Sequence, residues 1–63
     1  MGEYQYLTEI EVSRITRISV QTLRNDRFNR RNIPYYKIGR SVRYSWIDVV
    51  NFMEKRKIKT DSR

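Results

Sequence analysis

The sequence contains no cysteine and no histidine. Without cysteine there is no disulfide, thiolate nucleophile or cysteine-based zinc site, and without histidine the commonest general base and metal ligand is missing. The seven Asp and Glu residues are scattered, with no paired or metal-ligand spacing. We therefore expect no catalytic residue, no bound metal and no cofactor, and a protein that is not an enzyme.

Long apolar runs are also missing. No segment approaches the roughly 18 apolar residues of a membrane-spanning helix, and the N-terminus lacks the basic-then-apolar order of a signal peptide. The chain has 63 residues, and folding at that size buries only about 60% of the surface that the unfolded chain exposes. The sequence predicts one small intracellular domain with no membrane contact.

Positive charge is what the sequence has in excess. Fourteen Lys and Arg stand against seven Asp and Glu, for a net charge of +7, and ten of the fourteen are Arg. Residues 14–43 hold nine basic residues and one acidic residue. Because Arg presents a planar fork of donors that matches phosphate groups and guanine edges, this excess favours a nucleic-acid partner. A solvated basic face without a partner is the alternative.

Two capping signals predict two short helices joined by a tight turn. Thr8 and Glu11 form a capping box that predicts a helix over about residues 9–16. Ser19 is a second N-cap, before a helix that begins at residue 20. Side chains of this second helix recur at helical spacing and form one stripe: Gln21, Arg24, Asn25 and Phe28.

A β-hairpin is predicted around Gly39, because residues 36–38 and 42–44 each alternate with period two. A loop of two residues and a loop of three residues both fit the spacing. We expect the three-residue loop, since it places Ile38 opposite Val42 and collects the apolar side chains on one face.

That register also pairs Tyr36 with Tyr44 on the apolar face. It sets Lys37 opposite Arg43 on the outer face, where like charges repel and an anion would relieve the repulsion. A third helix over about residues 46–56 follows, with Ser45 as its N-cap.

Four stretches of the chain form a more specific pattern. They are Tyr6–Thr8 with Glu11, Ser19–Arg24, Pro34–Tyr44, and Asp48–Val49 with Phe52–Met53. Two helices, a tight turn and a basic hairpin, in that order, are the layout of a winged helix-turn-helix. Residues 6–54 resemble the small excisionase-type, MerR-like winged-helix DNA-binding domains, a group that includes AlpA-like regulators.

The resemblance implies a mainly α fold with a two-stranded β-hairpin, a winged helix-turn-helix of MerR-like type in a single small domain. We expect this domain over residues 6–56, between a flexible N-terminal tail at 1–5 and a basic C-terminal tail at 57–63. Arg17 stands where the family commonly has glycine. Asp26 stands at a frequent aromatic position, and we expect it to pair with Arg27 or Arg30.

The resemblance also implies which residues face DNA. The second helix would meet base edges in the major groove through Gln21, Arg24 and Asn25. Independently of the resemblance, phosphate contacts are expected from residues whose charged members have no visible structural need for charge: Ser19, Thr22, Arg27, Arg30, Arg31 and Lys37. The wing would reach the backbone or minor groove through Arg40, Ser41 and Arg43. A solvent-facing helix stripe and, for Ser19, a helix cap are the structural alternatives.

The activity implied is sequence-specific binding of double-stranded DNA as an excisionase, a recombination directionality factor. Such a protein binds repeated sites, bends DNA and promotes excision of a mobile element by an integrase. The implied partners are DNA, a tyrosine integrase and neighbouring copies of the chain, in the cytoplasm of a bacterium and at its nucleoid, with the gene bacterial or phage-encoded. A small transcriptional regulator and a basic RNA- or protein-binding module remain alternatives, although tyrosines on the apolar hairpin face argue against RNA.

Overall fold

The computed structural model describes residues 5–60. Its elements, in chain order, are β1 (Tyr6–Leu7), α1 (Glu9–Thr16), α2 (Val20–Phe28), β2 (Tyr36–Ile38), β3 (Ser41–Ser45) and α3 (Trp46–Lys55). This order confirms the predicted fold class, a mainly α winged helix-turn-helix. Most of the two predicted tails, residues 1–4 and 61–63, lies outside the described residues, and the domain bounds stay a prediction.

The first two helices begin as their caps predict. At α1 the Thr8 N–H donates to Glu11 Oε1 at 2.8 Å, and the Glu11 N–H donates to Thr8 Oγ1 at 3.2 Å. At α2 the Thr22 N–H donates to Ser19 Oγ at 3.1 Å. Both caps satisfy amides that would otherwise lack a partner in the first turn.

Ser45 is the N-cap of α3, as predicted, but its side chain accepts no hydrogen bond from the helix. Ser45 is the last residue of β3 and lies opposite Tyr6. The next amide, that of Trp46, donates to the Gln5 carbonyl at 2.9 Å. The chain thus passes from strand to helix without a loop, and sheet pairing fixes this helix start in place of a side-chain cap.

Arg17 closes α1 in the left-handed region, with φ 62°. Its N–H donates to the Ser13 carbonyl at 2.7 Å. This conformation explains why the family commonly has glycine here, since a residue with Cβ is strained at positive φ.

The sheet has three antiparallel strands in the order β1-β3-β2. The short strand β1 is an addition to the predicted hairpin, and it places Leu7 opposite Tyr44. Both side chains are buried in a core that the three helices and the sheet share: Leu7, Val12, Leu23, Ile33, Tyr44 and Val49.

The predicted hairpin register is wrong by one residue. The loop has two residues, so Ile38 lies opposite Ser41 and Lys37 lies opposite Val42. Gly39 supplies φ 61° at the first loop position, as in the tight primed turns whose twist matches the strands. A three-residue loop would instead need a left-handed residue at its end, where this chain has Ser41.

The observed register changes which side chains β2 exposes. Tyr36 and Ile38 lie on the outer face with 47% and 66% of their surface exposed. Tyr35 packs against the core in their place. The expected pairs of Tyr36 with Tyr44 and of Lys37 with Arg43 do not form, because Tyr36 lies opposite Arg43.

Candidate nucleic-acid interface

A concave basic surface lies between α2 and the hairpin. We call it the basic cleft and define it by the five cationic residues that line it: Arg24, Arg27, Lys37, Arg40 and Arg43. These residues come from α2, from both strands of the hairpin and from its loop. Cations that are spread over 20 positions of the sequence therefore face one surface, which favours a polyanionic ligand.

The hairpin register brings Lys37 into the basic cleft. Because Lys37 lies opposite Val42, the two side chains share the face of the hairpin that packs towards the core. In the register predicted from the sequence, Lys37 would have been on the outer face with Arg43. The tight turn at Gly39 thus places Lys37 beside the cations of α2, whereas Arg43 lies on the outer face and lines the basic cleft from β3.

One carboxylate, that of Glu9, borders the basic cleft. Arg24 Nε donates to Glu9 Oε1 at 3.2 Å, and Arg24 Nη2 donates to Glu9 Oε2 at 2.7 Å. Arg27 Nη1 adds a third bond, to Oε1 at 3.1 Å. These bonds lower the pKa of Glu9 below its usual value of 4.5, and the bond from Arg24 has the largest effect. Burial of the carboxylate acts in the opposite direction but is outweighed.

Arg27 is held by the core as well as by Glu9. Its side chain is 18% exposed, and its Nη1 also donates to the buried Tyr44 hydroxyl at 2.8 Å. Burial acts to lower the pKa of Arg27, but the bonds to Tyr44 and Glu9 outweigh it and raise the pKa above its usual value. The expectation that Arg27 has no structural need for its charge is therefore wrong, and its contact with phosphate stays a prediction.

A second cation also has an internal partner. Arg31 Nε donates to Asp26 Oδ1 at 3.4 Å, so the expected pairing of Asp26 with Arg27 or Arg30 is wrong. Arg30 is exposed and has a left-handed backbone with φ 54°. Arg30, Arg31 and Lys37 border a neighbouring depression, which extends the positive surface beyond the end of α2.

The polar residues of α2 are exposed and bonded to one another. Gln21 Nε2 donates to Asn25 Oδ1 at 3.2 Å along the helix. Ser19 Oγ donates to Thr22 Oγ1 at 2.9 Å while it caps the helix. The structural alternative for Ser19, a helix cap, is thus confirmed, and a phosphate contact by its hydroxyl would be an additional role.

The other predicted wing residues lie in or beside the basic cleft. Ser41 borders it together with Arg40. Arg43 Nη1 donates to the Val42 carbonyl at 2.8 Å, so its guanidinium folds back along the strand that carries it. These positions leave the wing contacts of Arg40, Ser41 and Arg43 as predictions.

Two features of the site could not be predicted from the sequence. Glu9 and Arg24 lie 15 positions apart in the sequence, so no helical or strand spacing indicates that they pair. Phe28 belongs to the predicted polar stripe, but only the structure shows that 87% of its surface is exposed at the edge of the basic cleft.

Two short helices joined by a tight turn, with the second helix exposed beside a basic hairpin, define a winged helix-turn-helix. Residues 6–57 match the model of a family described as a helix-turn-helix domain. The chain belongs to this family and binds DNA through its helix-turn-helix, which confirms the resemblance noted from the sequence. No curated protein and no solved structure gave a significant match.

Within residues 5–60, no helix has the length and apolar character needed to cross a membrane. The same part of the chain contains no group of three or more acidic side chains close enough to hold a metal ion.

Proposed function

We propose that the chain reads a specific sequence in double-stranded DNA, with α2 in the major groove and the hairpin on the flanking backbone. The observation that carries this proposal is the basic cleft, in which Arg24 of α2 and Arg40 of the hairpin loop line the same surface. A duplex presents phosphates at regular spacing along its grooves, so it can contact both residues at once. DNA binding without catalysis accounts for the site.

Base reading is assigned to the exposed side chains of α2. Arginine recognises guanine through O6 and N7, whereas asparagine and glutamine recognise adenine through N6 and N7. Arg24 takes the first role, and Gln21 and Asn25 take the second. The remaining contacts are to phosphates, from Ser19, Thr22, Arg27, Arg30, Arg31 and Lys37, and to the backbone or minor groove, from Arg40, Ser41 and Arg43.

The biological role we propose is that of an excisionase. The resemblance of residues 6–54 to excisionase-type domains supports it. Several copies on repeated sites would bend the DNA at the nucleoid and assist a tyrosine integrase. Footprinting on the DNA that flanks the gene tests this role: protection of tandem repeats beside an attachment site supports it, and protection of one promoter site identifies a transcriptional regulator instead.

One observation favours RNA as a second candidate ligand. Tyr36 is exposed and contacts Tyr6 edge-to-face, with ring centroids 5.4 Å apart, on the outer face of the sheet. Exposed aromatic rings on a sheet are a common platform for single-stranded bases. Competition between a duplex DNA and an RNA of equal length decides between the two, and stronger competition by RNA would contradict the DNA proposal.

The division of labour between base and phosphate contacts is tested with Arg24→Ala and Lys37→Ala. We expect Arg24→Ala to lower the preference for the specific duplex over a random duplex, since a good bidentate contact discriminates by about 1–3 kcal/mol. Lys37→Ala should weaken both duplexes alike and reduce the slope of log affinity against log salt by about 1. Fluorescence anisotropy at several salt concentrations measures both quantities.

Lys55→Ala is the matched control, because it removes the same charge from the C-terminal end of α3. If about five phosphates are contacted, the wild-type slope should be near −4.5. A flat salt response, or equal effects of Arg24→Ala and Lys37→Ala on the preference ratio, would contradict the proposal.

A further inference from the structure

Glu9 is a carboxylate on a surface that is otherwise suited to phosphate. Its side chain is 20% exposed at the edge of the basic cleft. A negative charge in this position repels DNA, and it lowers the affinity that the surrounding cations provide. A stronger preference for the correct DNA sequence over other sequences would offset this loss of affinity.

The geometry of the Glu9–Arg24 pair indicates what the gain is. Glu9 engages Arg24 on one edge of the guanidinium, through Nε and Nη2. No described residue accepts a hydrogen bond from Arg24 Nη1, and the Arg24 side chain is 55% exposed. The fork formed by Nη1 and the second hydrogen of Nη2 is therefore free, and such a fork matches guanine O6 and N7.

The carboxylate that holds Arg24 is itself held by the core. The buried Tyr44 hydroxyl accepts from Arg27 at 2.8 Å, and Arg27 donates to Glu9 at 3.1 Å. A continuous set of bonds thus runs from the core to the exposed guanidinium. An arginine restrained in this way loses less conformational entropy when it binds a base.

We propose that Glu9 is a positioning residue that sets the DNA specificity of Arg24. This inference rests on the proposed function, in which Arg24 reads guanine. Glu9 restrains the Arg24 guanidinium with its terminal fork towards the groove, and it disfavours DNA that offers no guanine at that position. Specific affinity and non-specific affinity therefore change in opposite directions when the carboxylate is removed.

The test is Glu9→Gln, with a duplex selected by the wild-type protein from a random library. Kd is measured for this duplex and for a random duplex, together with Tm. We expect Glu9→Gln to bind the random duplex more tightly, because a negative charge is lost. The ratio of random to selected Kd should fall about tenfold, within the range of one bidentate base contact.

Two variants make the result specific to this pair. Glu54→Gln removes the same charge from α3, where Glu54 pairs with Lys57 at 3.6 Å, and it should leave the Kd ratio unchanged. In the Arg24→Ala background, Glu9→Gln should lower the ratio no further, because the two side chains act through one contact.

If Glu9→Gln does not fold, Glu9→Asp replaces it in the test. Glu9→Asp keeps the charge but shortens the side chain, so it should lower the ratio of random to selected Kd without tightening binding to the random duplex.

The outcomes separate this inference from the proposed function. A wild-type protein that binds no duplex overturns the proposed function, and the role of Glu9 with it. A wild-type protein that discriminates, beside a Glu9→Gln variant with an unchanged Kd ratio, overturns only the role of Glu9. The same conclusion follows if both Kd values rise in equal proportion with a lower Tm, since that is the effect of a merely structural residue.

Discussion

Tyr44→Phe removes one hydroxyl oxygen from the core. It tests whether the hydrogen bond between Tyr44 and Arg27 of the basic cleft stabilises the fold. Tyr44 is 1% exposed, and its hydroxyl accepts a hydrogen bond from Arg27 Nη1 at 2.8 Å. A hydrogen bond to a charged group contributes about 1.5–3 kcal/mol to stability. Because Arg27 keeps its bond to Glu9 and water reaches part of its side chain, we expect a loss at the lower end, about 1.5–2 kcal/mol.

This loss is large for so small a domain. A stability of about 0.05–0.15 kcal/mol per residue gives a chain of this length roughly 3–9 kcal/mol in total. With a shift of about 4–8 °C per kcal/mol, Tm should fall by about 6–16 °C. Urea and thermal denaturation followed by far-ultraviolet circular dichroism measure both values.

Tyr36→Phe is the matched control for Tyr44→Phe. It removes a hydroxyl that bonds to none of residues 5–60, from a side chain that is half exposed. Its stability should stay within about 0.5 kcal/mol of the wild type. A Tyr44→Phe variant as stable as Tyr36→Phe would refute the reasoning, because it would show that the buried bond to Arg27 contributes nothing.

Three further predictions concern the backbone and pH. The pKa of Glu9 lies below 4.5 in the folded chain, so the stability that its ion pairs contribute is present above pH 4.5 and is lost as pH falls through the folded pKa. Glu9→Gln should therefore make the free energy of unfolding depend less on pH in that range. An unchanged dependence on pH would contradict the pairing. Arg17→Gly should raise stability by about 0.5–1 kcal/mol in urea denaturation, because Arg17 has φ 62°; a loss would show that its side chain has an unseen role. Gly39→Ala should cost about 1 kcal/mol through its φ of 61° alone, since no atom lies within 4 Å of the added Cβ; a loss beyond about 2 kcal/mol would indicate a rearranged hairpin.

Local features of the fold were predictable because their partners are close in sequence. The capping box joins Thr8 to Glu11, and the α2 cap joins Ser19 to Thr22, each across three residues. At Ser45 the same signal predicted the N-cap position correctly, but the side chain makes no cap bond and the residue pairs with the distant Tyr6. The position of this helix start was therefore predictable from the sequence, and the strand pairing that holds it was not.

The hairpin shows how a plausible pattern can predict the wrong register. Placing all apolar side chains on one face favoured a three-residue loop. The structure instead forms a two-residue turn at Gly39, which leaves Ile38 exposed. Tyr35 packs against the core in place of Ile38. Turn geometry and the pairing of Tyr44 with Leu7 therefore outweigh the burial of two side chains on β2.

The sequence by itself determined the class of this protein. An excess of arginine in the middle of the chain favours a nucleic-acid partner, two capped helices ahead of a glycine turn indicate the helix-turn-helix layout, and the family match over residues 6–57 shows a helix-turn-helix that binds DNA. Only the tertiary structure decided which cations meet and how they are held. Lys37 enters the basic cleft because of the hairpin register, and Glu9 bonds Arg24 and Arg27 because α1 packs against α2. Charge content and caps are local properties of a sequence, whereas the bonds of Glu9 to Arg24 and Arg27 join residues 15 or more positions apart, so they form only when the core brings α1 and α2 together.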